Sequence, residues 1–174
     1  VESAISKDLG EPGYLKMIGD KTSSLISAST LIGAITATKN NEKRQALFNY
    51  GEKIGTMFQI KDDLLDITGL EREIGKPTMF DLKKNMLTLP IIYILSTKDK
   101  SKRKEMISNL KYLSKKNKKK EIKSMIIEMG GVEYAENKIK DLSEQAIVDL
   151  NIFRDSEVKT ALISAINFNM TRKL

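Results

Sequence analysis

The sequence predicts an all-α fold. Apolar residues recur at three- and four-residue intervals through most of the chain. The one compact apolar run that would pass for a buried strand, residues 89–95, has no partner strand elsewhere. Hydrophobic residues make up 40% of the chain and aromatics only 6%, a balance suited to packed helices.

A chain of 174 residues is long enough for a real core, and one helical domain over 1–174, without repeats or linkers, is the expected organisation. No apolar run reaches the length of a membrane span, since the longest, 89–95, is short and contains Pro90. A cytoplasmic protein is expected. Zero cysteines and zero histidines exclude disulfides, thiolate metal sites and imidazole bases. Any chemistry must rest on carboxylates, lysines, metal ions or the substrate's own groups. The net charge is +7, and residues 98–123 hold 12 Lys or Arg against 3 Asp or Glu, so the rest of the chain is slightly acidic. The run Lys115-Lys116-Asn117-Lys118-Lys119-Lys120 reads as a solvated loop and helix start rather than a surface for nucleic acid or anionic lipid. No aromatic residue interleaves it and no nucleic-acid motif accompanies it.

Glu11-Pro12-Gly13 opens the first helix, with proline in a first turn where its missing N–H does no harm. Tyr14, Leu15, Ile18, Leu25, Ile26, Ala28, Ile32 and Ile35 keep helical spacing, and small residues between them permit close packing. Asp20-Lys21-Thr22 interrupts that stripe. Either Asp20 caps a new helix with Lys21 in solvent, or Lys21 and Thr22 form a phosphate grip of one cation and one hydroxyl donor. Lys39-Asn40-Asn41 is a turn, and Glu42 begins a long helix ending before Gly69. Gly51 and Gly55 within it suit tight packing, and Gly55 also lies on the acidic arc, where it would leave room for a substrate. Residues 71–81, with Gly75-Lys76-Pro77, read as a loop. Asp81 begins a short helical segment, Thr88 is an N-cap with Pro90 just inside, and 91–95 continue into the core. A short helix over 121–129 is stopped by Gly130-Gly131. Val132, Ala135, Ile139, Leu142 and Ala146 mark the next helix, and Ser156 caps a last one through Val158, Leu162, Ala165 and Ile166.

The chemistry is expected near the end of the long helix. At about 100° per residue, Gln59, Asp62, Asp63 and Asp66 fall on one arc, while Tyr50, Ile54, Met57, Phe58, Ile60, Leu64 and Leu65 occupy most of the remaining surface. Asp62 and Asp66 are a like-charged i,i+4 pair at the end of a helix whose dipole favours cations, and no lysine lies four residues beyond any of the acids. The strip is unfavourable unless positive charge arrives from outside, and oxygen-only ligands point to a hard cation such as magnesium, which shares its shell with phosphate oxygens. An exposed acidic helix face is the bland alternative for an isolated DDxxD.

The flanks decide between them. FQIKDDLLDITG followed by GKPTMFDLKKNMLTLP resembles the second aspartate-rich region of the trans-isoprenyl diphosphate synthases, or polyprenyl synthetases. YLKMIGDKTSSLISASTLIGA is similar to that family's Lys-Thr helix, and GGVEYAENKIKDLSEQAIVDL to its penultimate helix. The resemblance implies an isoprenoid-synthase-type antiparallel helical bundle, of which this chain is the C-terminal part. It implies a magnesium-dependent condensation of isopentenyl diphosphate with an allylic diphosphate, and a homodimer. Residue by residue, Asp62 is a direct magnesium ligand, Asp63 and Asp66 support it, and Asp81 stands in the outer part of the metal site. Lys21 and Lys76 grip the allylic diphosphate, and Thr22 and Gln59 hydrogen-bond nearby. The family commonly has a lysine where this chain has Met86, and Lys83 or Lys84 is the expected substitute. A second DDxxD, the basic cluster for isopentenyl diphosphate and the residues that set product length are absent from the sequence, so the chain alone is expected to be inactive. The rival is a non-catalytic subunit of the same helical ancestry. A terpene cyclase would carry a further metal motif that is absent here, and no nucleic-acid partner or membrane span is expected.

Overall fold

The computed structural model describes residues 10–69 and 78–172. Every regular element among them is helical. In order these are α1 (Glu11–Ile18), a π-helical turn (Gly19–Ser23), α2 (Ser24–Ala37), α3 (Asn41–Thr68), α4 (Phe80–Lys83), α5 (Leu89–Ser96), α6 (Lys100–Lys115), α7 (Lys119–Glu128), α8 (Gly131–Asp149), a 3-10 turn (Leu150–Ile152) and α9 (Glu157–Thr171). The chain forms two compact units. One contains Asp62–Asn137 with the described residues up to Tyr14, and the other contains Leu15–Lys61 with Lys138–Arg172.

The first unit is organised on α5. Pro90 occupies its first turn, where no amide is needed, and six of its eight residues are buried. A helix apolar on nearly every side belongs at a centre. Ile91, Ile94 and Leu95 join Ile67, Met79, Leu82, Leu110, Ile122 and Ile126 in one core. Gly131 starts α8 against α5, where an added Cβ would stand 2.6 Å from the Pro90 carbonyl oxygen, so only glycine permits that approach. Tyr134 then stacks on Tyr93 with ring centroids 4.1 Å apart.

In the second unit the line of contact between α2 and α3 is set by two glycines one turn apart. A Cβ on Gly51 would lie 2.7 Å from Ser27 Cα, and one on Gly55 2.5 Å from Ser23 Cα. The space that Gly55 leaves is filled by the Ser23 backbone rather than left for a substrate. Tyr50 donates to the Leu162 carbonyl at 2.9 Å, and Lys53 pairs with Asp149 at 2.6 Å, tying α9 and α8 to α3.

The run from Lys115 to Lys120 is a largely exposed turn and helix start, as expected, and before it lies a 16-residue helix that no sequence reading anticipated, α6, capped by Asp99 accepting from the Lys102 amide. Leu110 on it is buried, with Met106, Ile107 and Leu113 beside it. In α9 the inward residues are Ile166 and Asn169, while Val158 and Ala165 are exposed. Thr88 takes the N-cap position of α5, but its hydroxyl makes no capping bond.

Candidate functional site

The chain does not break at Asp20. The residues flanking Gly19–Ser23 keep right-handed helical dihedrals, so α1 runs into α2 through one widened turn. Asp20 therefore caps nothing, and it pairs with Lys16 one turn earlier at 3.0 Å on the exposed side. Lys21 is exposed on the same turn. Thr22 donates its hydroxyl to Gln59 Oε1 at 2.9 Å, and Ser23 and Thr56 hydroxyls lie 3.0 Å apart one turn back along α3.

The aspartates of α3 divide among different tasks. Asp63 is buried and accepts the Tyr14 hydroxyl at 2.8 Å. Burial first, then the charge of Asp63, the hydrogen bond to it and the charge of Asp81 push the Tyr14 phenol well above its ordinary value. Tyr14 thus stays a neutral donor, which keeps a buried carboxylate satisfied. Asp66 is half-buried, and its two oxygens accept the amides of Phe80 and Asp81 at 3.0 and 3.2 Å, while its carbonyl accepts from Met79 at 2.9 Å. Met79 has φ 59°, a left-handed turn that aims α4's first amides at that carboxylate. Asp62 and Asp81 are half-buried. Among the described residues no group of three or more carboxylates stands close enough to hold one cation.

Residues 2–129 match the family model described as polyprenyl synthetase. The chain belongs to the polyprenyl synthetase family. It is 43% identical over 124 residues to the short chain isoprenyl diphosphate synthase of Methanocaldococcus jannaschii, spanning 70% of this chain and 37% of that protein. The crystal structure of geranylgeranyl pyrophosphate synthetase from Pyrococcus horikoshii aligns with TM-score 0.86 at 28% identity, over 97% of this chain and 51% of that one. Geranylgeranyl pyrophosphate synthase from Corynebacterium glutamicum, solved with calcium and isoprenyl diphosphate, aligns with TM-score 0.76 at 26% identity, over 91% of this chain and 49% of its own. The chain therefore spans about half of these polyprenyl synthetases, or less. Their fold is the all-α isoprenoid-synthase fold expected from the resemblance.

Of the site residues expected from the resemblance, Thr22 and Gln59 are brought together. Asp66 and Asp81 are also linked, through carboxylate and backbone amide. Lys76 lies outside the described residues. Met86, where the family commonly has a lysine, is half-buried and its amide bonds to the Asp81 carbonyl at 2.9 Å. Lys83 and Lys84 are exposed, and the Lys84 ammonium sits over the Phe80 ring at 4.2 Å from its centroid. Tyr14 was missed as part of the site. Its signal was weak, because a tyrosine on an apolar helical stripe reads as core until its partner is known.

Proposed function

We propose that this chain supplies the aspartate-rich part of a prenyltransferase site, where an allylic diphosphate is held for condensation with isopentenyl diphosphate. The observation that carries the reading is the Thr22–Gln59 hydrogen bond at the widened turn of a chain that matches the polyprenyl synthetase family. It fixes the turn that carries the exposed Lys21, whose ammonium suits phosphate oxygens, and the single Thr22 O–H turns from Gln59 Oε1 to donate when a diphosphate binds. One turn further along α3, Asp62 and Asp66 offer an all-oxygen i,i+4 pair that suits a hard divalent cation retaining most of its waters. In this reading Asp62 and Asp66 are the ligands, and Asp63, engaged by Tyr14, fixes the helix rather than the ion. Asp81 stands behind Asp66, and Lys76 is a second grip on the diphosphate. Bound magnesium supplies the positive charge that offsets the developing charge of the diphosphate leaving group. Lys21 and Thr22 hold that group while the allylic C–O bond breaks. The isopentenyl double bond then attacks the allylic cation, and the departing proton passes to a diphosphate oxygen, since the chain has no histidine to take it.

Leu25, Ile32 and Ile35 on α2 are 72, 62 and 50% exposed. They support the further proposal that this face is covered by additional helices in the working enzyme, and that this chain alone forms no product. A cytoplasmic homodimer of one domain per chain belongs to the same reading.

Thermal unfolding in magnesium chloride and inorganic pyrophosphate tests the reading. At tenfold excess over Kd the melting temperature should rise by about 3–6 °C. Lys21→Ala and Asp62→Ala should each abolish most of the rise. No shift in the unsubstituted chain would favour the non-catalytic subunit.

A further inference from the structure

The basic excess has a geometry that is invisible in the sequence run. Helix α6 turns Leu110 into the core of its unit, with Met106, Ile107 and Leu113 against it. At about 100° per residue, Lys100, Lys104, Lys111 and Lys115 then fall within an arc of about 60° on the solvent side, in single file over about 22 Å. All four are exposed, and none forms an ion pair with another described residue. Tyr112, 59% exposed, stands beside the row. Lys116 and Lys120 continue the exposed positive surface to the start of α7, while Lys118 is paired with Glu121 at 2.6 Å.

We propose that this lysine row is a peripheral docking surface for an anionic lipid bilayer. A straight row of four cations with an aromatic at its flank meets a plane of lipid phosphates along its whole length, and tyrosine favours the headgroup region. Single-stranded nucleic acid would need several aromatic stacking platforms, and beside this row stands one aromatic, Tyr112. Because α6 has already committed its apolar side to the unit's core, it cannot insert; contact is electrostatic, reversible and salt-sensitive. No helix among the described residues is long and apolar enough to cross a membrane, so attachment is to the surface. The inference is independent of the catalytic reading, and pyrophosphate-dependent stability should survive its failure.

The test is co-sedimentation with phosphatidylcholine vesicles containing increasing phosphatidylserine. Binding should rise steeply with the anionic fraction and fall when sodium chloride is raised. Each lysine should contribute about fivefold to the partition coefficient, so K100Q/K104Q/K111Q/K115Q should lose more than about a hundredfold. A charge-matched variant with Lys16, Lys39, Lys140 and Arg154 changed to Gln should retain most of the binding. Far-UV circular dichroism and melting temperature establish that both variants are folded. The proposal is overturned by three results: no dependence on phosphatidylserine, equal loss in the two variants, or row-dependent binding of a single-stranded RNA oligonucleotide without binding to vesicles.

Discussion

Glycine to alanine should have opposite signs at two positions in the same unit. Gly33 lies within α2, where an added Cβ would meet nothing within 4 Å. Gly33→Ala removes backbone freedom from the unfolded chain and should stabilise by up to about 1 kcal/mol. Gly51 also lies inside a helix, so the same gain applies. Its Cβ, however, would stand 2.3 Å from Thr30 Oγ1 and 2.7 Å from Ser27 Cα. The threonine oxygen belongs to a side chain that can turn away, but Ser27 Cα is backbone, and relieving it means moving α2 off α3. Overpacking of that kind costs up to about 3 kcal/mol, leaving about 2 kcal/mol of net destabilisation. Circular-dichroism melting should then show Gly51→Ala about 4–8 °C below the unsubstituted chain and Gly33→Ala slightly above it. A Gly51→Ala protein as stable as its parent would refute the close α2–α3 approach, and with it the placement of Ser23 and the widened turn beside it.

Other consequences follow from individual partners. Burial pushes the Tyr50 phenol up to about 12, so its unfolded form ionises first and stability should fall as pH rises from about 10 towards 12. Tyr50→Phe, which also removes the donor to the Leu162 carbonyl, should flatten that alkaline fall in urea titrations run at several pH values. Lys53→Met strands the mostly buried Asp149 carboxylate, and a loss of about 2 kcal/mol is expected in urea unfolding at pH 7. The double variant K53M/D149L should recover much of it, since no charge is then left unpaired.

How much was legible can be judged residue by residue. α3 was read almost to its ends, because Asn40 and Gly69 punctuate it and its apolar period is long. Pro90 placed α5 for the same kind of local reason. The Lys-Thr turn was ambiguous because a π turn and a restarted helix demand the same residues locally, and only the path of α1 into α2 separates them. α6 was missed because its four apolar contacts are diluted among lysines, so tertiary burial rather than propensity holds it. The pairing of Tyr14 with Asp63 links residues 49 apart, and no local pattern announces such a partner.

Asp66 is the one acid asked to do two things, and substitutions can separate them. As an acceptor it holds the amides of Phe80 and Asp81, so it fixes the entry to α4 and the placement of Asp81. As a proposed ligand it contributes charge. Asp66→Asn keeps a carbonyl oxygen for an amide but removes the charge; Asp66→Ala removes both. If both roles hold, Ala should lower stability by about 1 kcal/mol, the usual cost of losing an acceptor at a helix start, while Asn should cost a few tenths. Magnesium with pyrophosphate should raise the melting temperature of neither variant appreciably. A stable Asn variant that kept the full shift would leave Asp66 as an anchor alone and put the cation's protein charge on Asp62. An Asn variant as unstable as Ala would mean that the α4 amides require a full negative charge, making the placement of α4 depend on the same electrostatics that draw the ion.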